Sequence, residues 1–175
     1  MLEFLPKLQQ LQVRTPPDAV YEWHGFLGFF QILGRLTALT RLSLEDVWAE
    51  DASGLDLAHL STLSLLQQLN LEDVTLCDFD VPSTWSRLET LTLQDCEVEW
   101  PGNLSALASL TWLTLEIQAQ IREPMDFLTQ LKSLRTVALD RGVCGHVWDP
   151  SSLCAIVQAQ LLIEETPDCH VELLA

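Results

Sequence analysis

The chain has 175 residues, of which 48% are hydrophobic and 19% charged, a composition typical of one folded domain rather than a disordered chain. It carries 25 acidic and 9 basic residues, a formal net charge of −16 that disfavours binding to nucleic acid or to an anionic membrane surface. A basic partner would complement this charge, although acidic residues also keep a leucine-rich chain soluble.

One phrase, L-x-x-L-x-x-L-x-L, recurs with small substitutions along the chain. The copies start at Leu5, Leu36, Leu63, Trp85, Leu107 and Leu131, and they end at Val13, Leu44, Leu71, Leu93, Leu115 and Leu139. The closing L-x-L has a period of two and predicts a strand that is buried on one face, and the opening L-x-x-L predicts a helical or 3-10 turn. Because one such unit cannot bury its leucines, the units must stack and pair their strands in a parallel sheet.

Two segments interrupt the phrase. In residues 15–32, a turn at Thr15–Asp18 is followed by apolar residues at helical spacing, from Val20 to Phe30. This helix either packs its aromatic side chains on the core or presents them to a partner. In residues 142–175, a helix signal follows Pro150, and the alternation in Cys169–Leu173 predicts a final strand.

The recurring phrase and its spacings of 31, 27, 22, 22 and 24 residues resemble those of the leucine-rich-repeat family over nearly the whole chain. The resemblance implies an α/β solenoid, a horseshoe of about six to seven repeats with a parallel concave sheet and a helical or 3-10 convex side. We expect a single domain over 1–175, with a first repeat and an aromatic insertion or cap in 1–32, core repeats in 33–141 and a degenerate C-terminal capping repeat in 142–175.

The chain departs from the family at the turn after each strand. The family places asparagine or cysteine there, and this chain has Val47, Val74, Cys96, Gln118 and Gly142, of which only Cys96 matches. We therefore expect irregular turns after the strands. The two longest spacings predict longer convex-side helices in the early repeats.

The five cysteines, at positions 77, 96, 144, 154 and 169, are odd in number and have no close spacing. We interpret them as reduced thiols and, with no signal peptide evident and no apolar stretch long enough to span a membrane, we expect a cytoplasmic or nuclear protein. If the protein were secreted, Cys144, Cys154 and Cys169 could form disulfides in the cap. A zinc site of these cysteines with His146 and His170 is a further alternative.

The chain contains no phosphate loop, no nucleophile elbow and no metalloprotease motif. We therefore expect no enzymatic activity, no cofactor, no metal and no small-molecule substrate. The informative residues are those that point outward between the core leucines, on the concave face. The candidate partner-binding residues are Arg41, Glu45, Asp46, Gln68, Asn70, Glu72, Asp73, Thr92, Gln94, Asp95, Trp112, Thr114, Glu116 and Asp140.

The acidic residues and Trp112 lead to a functional hypothesis. Between Arg41 and Arg122 there are 14 acidic residues and one basic residue. Rows of like charge cost stability, which favours a binding use, although solubility alone is the alternative. Trp112 either anchors a partner or lies flat over Thr90 and Thr136.

We expect a non-catalytic protein–protein interaction module whose acidic concave face binds a protein or peptide with basic residues, and neither nucleic acid nor membrane. Two alternatives remain open. The chain could be the substrate-recognition array of a larger protein, of the ubiquitin-ligase-receptor or the signalling and immune type, since it opens inside a repeat at Leu5. It could also be a structural subunit of a large complex, held by residues 19–33 or by the outer helices.

Overall fold

The computed structural model describes residue 5 and residues 7–15, 26–47, 54–78, 80–98, 104–117, 131–140 and 170–174. The strands of this part of the chain are β1 (Gln10–Arg14), β2 (Arg41–Glu45), β3 (Leu55–Asp56), β4 (Gln68–Glu72), β5 (Thr75–Asp78), β6 (Thr90–Val98), β7 (Trp112–Ile117), β8 (Thr136–Asp140) and β9 (His170–Leu174). A main sheet has the strand order β1-β2-β4-β6-β7-β8-β9, and every neighbouring pair in it is parallel. The predicted parallel sheet is confirmed.

The core consists of leucines that pair in register from strand to strand. Leu42 aligns with Leu69, Leu91, Leu113 and Val137, and Leu44 aligns with Leu71, Leu93, Leu115 and Leu139. The side chains of Leu44, Leu71 and Leu93 are fully buried. Complete burial of one leucine contributes about 1.5–3 kcal/mol, so the stacked rows supply the main driving force for folding.

Trp85 takes the place of the leucine that opens the fourth phrase. Its side chain is fully buried, and its indole Nε1 donates a hydrogen bond to the carbonyl oxygen of Leu60 at 3.2 Å. The larger residue thus fills the core and also adds a second hydrogen bond to a backbone carbonyl of the preceding repeat, which already accepts from Leu63 N.

Helices in the described residues lie in the connections between strands. Helix α1 (Phe26–Leu33) connects β1 to β2, and short 3-10 helices occupy Leu57–Leu60 and Leu104–Ala106. The side chains of Phe30 and Leu33 are buried in the core, so the described part of the aromatic segment packs inward. The long connection from β2 to β4 does not contain the predicted longer helix in its described part, which consists of β3 and a four-residue 3-10 helix.

The turns after β2 and β4 share one backbone conformation with Asp95 in β6, and after β2 and β4 the prediction of irregular turns is wrong. In β6 the register to β7 shifts between Gln94 and Cys96, and the turns at Gln118 and Gly142 lie outside the described residues. Asp46, Asp73 and Asp95 share left-handed φ angles of 55°, 52° and 51°. Backbone hydrogen bonds continue between repeats here, from Asp46 N to Glu72 O at 3.0 Å and from Asp73 N to Gln94 O at 2.9 Å. Aspartate tolerates this conformation better than most residues, which explains its recurrence.

The position that follows each of these aspartates is part of the core. Val47, Val74 and Cys96 are buried, with 4%, 2% and 0% of their surface exposed. The Cys96 thiol also donates to the carbonyl oxygens of Leu71 and Gln94, both at 3.3 Å. Apolar packing therefore replaces the asparagine that the family pattern has at this turn.

Side-chain hydroxyl groups in the segments that precede the strands connect adjacent repeats. Each donates to a carbonyl oxygen of the preceding repeat: Thr40 to Gln9 at 3.0 Å, Thr62 to Gly34, Thr84 to Ser61 at 2.6 Å, Ser109 to Ser86 at 2.6 Å, Thr111 to Glu89 at 3.1 Å and Ser133 to Ala108 at 2.7 Å. We name this set the hydroxyl ladder. The carbonyl oxygens of Gln9 and Glu89 also accept backbone N–H groups, so there the hydroxyl is an additional donor. At the other four carbonyls the hydroxyl supplies a donor where the described backbone supplies none.

Strands β3 and β5 form a short side sheet next to the end of β6. Strand β3 pairs with β5, and β5 pairs with the end of β6 through Thr75 opposite Glu97 and Leu76 opposite Val98. The side chains of Leu55 and Leu76 are buried. The repeating phrase does not predict this side sheet.

The main sheet ends at β1 on one side and at β9 on the other. At β1, the side chains of Leu11 and Val13 are partly buried, whereas their register partners Leu42 and Leu44 are fully buried. At the other end, the predicted final strand forms as β9, parallel to β8. Residues 16–25 and 141–169 lie outside the described residues, so the proposed domain boundaries at 32 and 142 remain predictions. No helix in the described part of the chain is long and apolar enough to cross a membrane.

Candidate functional site

The outward side of the main sheet, which we name the polar face, carries three columns of side chains. The first column contains Gln10, Arg41, Gln68, Thr90, Trp112 and Thr136. The middle column contains Gln12, Ser43, Asn70, Thr92 and Thr114. The third column contains Arg14, Glu45, Glu72, Gln94 and Glu116. Ten of the fourteen candidate residues named from the sequence therefore lie on one face.

The other four candidates are aspartates, of which Asp46, Asp73 and Asp95 occupy the left-handed positions that follow the third column. Asp140 pairs through its backbone with Leu174, and its side chain lies outside the described residues. Ala138 continues the middle column in register but is only 2% exposed. The accessible part of the middle column therefore ends at β7.

Trp112 is the large aromatic side chain of the polar face. It is 43% exposed, and its Nε1 donates a hydrogen bond to Thr114 Oγ1 at 3.0 Å. Because Thr114 lies two residues further along the same strand, the indole leans along β7 toward the middle column. This orientation leaves a large apolar surface accessible beside polar neighbours, which is the usual setting of an interface anchor.

The β1–β2 end of the third column is already compensated inside the chain. Arg14 Nε lies 3.7 Å from Glu45 Oε2 and 3.5 Å from Asp46 Oδ2. Gln12 Nε2 donates to Glu45 Oε1 at 2.6 Å, and the Ser43 hydroxyl lies 3.3 Å from the same oxygen. The Glu45 side chain is only 13% exposed, so it is less accessible to a partner than the sequence suggests.

The hydrogen bonds continue from Glu45 into the middle column. Asn70 Nδ2 donates to Ser43 Oγ at 3.1 Å, and the Ser43 hydroxyl reaches the Glu45 carboxylate. This chain of donors orients the side chains of three neighbouring strands, and it holds the centre of the polar face in one arrangement before any partner arrives.

A shallow groove of about 520 Å³ lies over β1, β2, β4 and β6. Its floor is formed by Leu11, Leu42 and Leu69, and its polar lining comes from the first and middle columns. Arg41 is the single charged residue of this lining. Four of the lining residues, Gln10, Gln12, Ser43 and Thr90, are not among the candidates named from the sequence. The small polar residues of the middle column are the sequence feature that could have indicated them.

The described cysteine and histidine side chains have structural roles. Burial raises the pKa of the Cys96 thiol to about 11, and the carboxylates of Asp73 and Asp95 add to the effect. His59 Nδ1 lies 3.2 Å from the carbonyl oxygen of Asp56 beside a 3-10 helix. No group of three or more potential metal ligands comes together in the described residues. The alternative disulfide or zinc site of Cys144, His146, Cys154, Cys169 and His170 lies outside the described side chains.

No protein-family model and no curated protein matches this chain. Among solved structures, it is similar to a leucine-rich-repeat protein of Leptospira interrogans, with 17% identity and a TM-score of 0.57 over 96% of this chain and 38% of that chain. It is also similar to an internalin of Listeria monocytogenes, with 17% identity and a TM-score of 0.37 over 99% of this chain and 63% of that chain. The chain thus spans less than two thirds of each. The likeness to the first shows a shared fold.

Proposed function

We propose that this chain, which has the leucine-rich-repeat fold, is a non-catalytic protein-interaction module. It binds a protein or peptide with basic residues on the polar face. The observation that carries this proposal is the 43% exposure of Trp112 on a regular sheet face, with the acidic third column on the same strands.

Trp112 and the acidic residues have separate roles in the proposed complex. The indole provides the buried contact, since aromatic side chains in a polar surround contribute most of the binding energy at interfaces. Glu72 and Glu116 in the third column, with Asp73 and Asp95 at the turns, attract a basic partner and set its register. Such charges raise the association rate more than they lower the dissociation rate.

The contact between Arg14 and its neighbours supports a basic partner. This guanidinium lies within 4 Å of both Glu45 and Asp46, an acid of the third column and the turn aspartate that follows it. Glu72 and Asp73 repeat this pair on β4, in register with Glu45 and with a matching left-handed turn. A pair of this geometry is thus able to hold one guanidinium.

The experiment is affinity purification from the native source with mass spectrometry, using wild type and two variants of the polar face. Trp112→Ala removes the anchor, and Glu72→Gln with Asp73→Asn removes charge while keeping a residue that tolerates the left-handed turn. Matched controls off the polar face are Leu65→Ala, an exposed leucine, and Glu89→Gln with Asp80→Asn. We expect partner recovery to fall at least about tenfold for the face variants only. Equal recovery from folded face variants would refute the proposal.

A second candidate function is the recognition array of a larger protein. The partial exposure of Leu11 and Val13 in β1, compared with the buried leucines of β2, supports a further unit that packs there. Immunoblotting of the native source distinguishes the two, since this candidate requires a species much larger than 19.7 kDa.

A further inference from the structure

We infer that the polar face is bipolar, so that its ligand is an extended peptide with one carboxylate for Arg41 and one basic side chain for the third column. This inference rests on the proposed function and specifies the ligand that the same face binds. A purely basic ligand would leave Arg41 as a repulsive charge inside the groove.

Arg41 is placed to receive a carboxylate. Its side chain is exposed, and it makes no ion pair with any described residue. Its register partners in the first column are Gln10 and Gln68, which are uncharged. Among the described residues this guanidinium therefore has no counter-charge, and a carboxylate can pair with it in a bidentate manner.

The groove indicates the direction of the ligand. It crosses four strands, which at about 4.8 Å per strand is roughly 14 Å, but it covers two columns, which is roughly 7 Å along the strands. Four residues of extended chain have about this length. The amide groups of Gln10, Gln68 and Gln12 line the groove and can both donate to and accept from a peptide backbone. The ligand therefore runs across the strands.

The two charges of the face then restrict the ligand sequence. Arg41 lies in the first column and Glu72 in the third, on opposite sides of a chain that crosses between them. Successive side chains of an extended peptide point to opposite sides. The acidic and basic residues of the ligand must therefore be an odd number of positions apart, either adjacent or three apart.

A random dodecamer library displayed on phage, selected against the full chain, tests this spacing. Selections use wild type, Arg41→Glu, and the control Arg87→Glu, which makes the same charge change at an exposed residue off the polar face. We expect wild type and the control to select an acidic and a basic residue at odd spacing. Arg41→Glu should lose the acidic residue and keep the basic one.

Selected peptides are then synthesised with a fluorescent label and titrated by anisotropy. We expect Arg41→Glu to weaken binding about tenfold, and a peptide whose acidic residue is changed to lysine to recover most of that loss on this variant. A role of Arg41 in folding alone could not produce such recovery.

The outcomes separate the inference from the proposed function. Pools that contain basic residues only, or acidic residues with no preferred spacing, overturn the bipolar ligand and leave the basic-partner proposal standing. An acidic residue retained in the Arg41→Glu pool also overturns the inference. Selected peptides that bind the Trp112→Ala variant and the Glu72→Gln with Asp73→Asn variant as tightly as wild type overturn both.

Discussion

Replacing Trp85 and Trp112 by leucine separates the energy of folding from the energy of binding. Trp85 is fully buried and donates to Leu60 O, whereas Trp112 is 43% exposed and donates to Thr114. Trp85→Leu restores the residue that the recurring phrase has at this position. Sequence periodicity alone would therefore predict a neutral or stabilising change.

The structure predicts the opposite for Trp85. Truncating a buried tryptophan to alanine costs about 3–5 kcal/mol, and leucine refills part of that volume. The lost hydrogen bond costs about 0.5–1.5 kcal/mol, because the Leu60 carbonyl oxygen still accepts from Leu63 N at 3.0 Å. We expect Trp85→Leu to lower the free energy of unfolding by roughly 3 kcal/mol, and Trp112→Leu by less than about 1 kcal/mol.

Urea denaturation followed by far-ultraviolet circular dichroism measures both variants without relying on tryptophan fluorescence. At a temperature where both remain folded, Trp112→Leu should lose about 2 kcal/mol of binding to a selected peptide or partner, and Trp85→Leu should bind as wild type does. A Trp85→Leu variant as stable as wild type would refute the assigned hydrogen bond and packing. A Trp112→Leu variant with unchanged binding would refute the anchor.

Three further predictions concern the turns and charges beside the polar face. Burial raises the pKa of the Cys96 thiol from 9.0 to about 11. As the pH rises, this thiol therefore loses its proton in the unfolded chain before it does so in the folded chain, and the free energy of unfolding should fall by about 2 kcal/mol between pH 9 and pH 11. Cys96→Val, which copies the buried valine of the two preceding repeats, should remove this part of the alkaline slope in urea denaturation; an identical slope in both proteins would contradict the assignment. Asp73→Asn should preserve stability to within about 0.5 kcal/mol and Asp73→Val should cost about 1–2 kcal/mol, because a β-branched residue strains the left-handed turn; calorimetry that finds the two variants equally stable would exclude this reason. Arg14→Gln should change stability by less than about 1 kcal/mol, since the Arg14 side chain is 66% exposed. Because the substitution uncovers Glu45, it should raise the association rate of a basic peptide severalfold in stopped-flow measurements. An unchanged rate would show that Glu45 takes no part in attraction.

The strands and their outward columns could be predicted because their cause is local. Each L-x-L buries two residues and turns one between them outward, and stacking at similar spacing brings equivalent residues into register. Leu44, Leu71 and Leu93 lie where the phrase places them, and so do Ser43, Asn70 and Thr92. The left-handed aspartates could not be predicted from the leucine phrase, since their conformation follows from backbone bonds between repeats.

The energetic ranking of the acidic residues could not be predicted because it depends on contacts between repeats. In the sequence, Glu45 and Glu72 occupy equivalent positions and look equally available. In the structure, Glu45 is compensated by Arg14, which lies 31 residues earlier in the chain, and by Gln12. The side sheet of β3 and β5 escaped prediction for a related reason, because a strand as short as Leu55–Asp56 has no periodicity of its own.

The low identity to solved structures of this fold follows from the same physics. Stacked repeats require buried leucines and a partner for each backbone carbonyl between repeats, and neither requirement specifies which polar side chain is the donor. This chain meets the second requirement with hydroxyls such as those of Thr84, Ser109 and Ser133, and with the Cys96 thiol, rather than with a row of asparagines. The fold is therefore compatible with many sequences, and it places few constraints on the residues that point outward on the polar face. Arg41, Glu72 and Trp112 belong to that outward set, so under the proposed function a partner, rather than the fold, accounts for their identity.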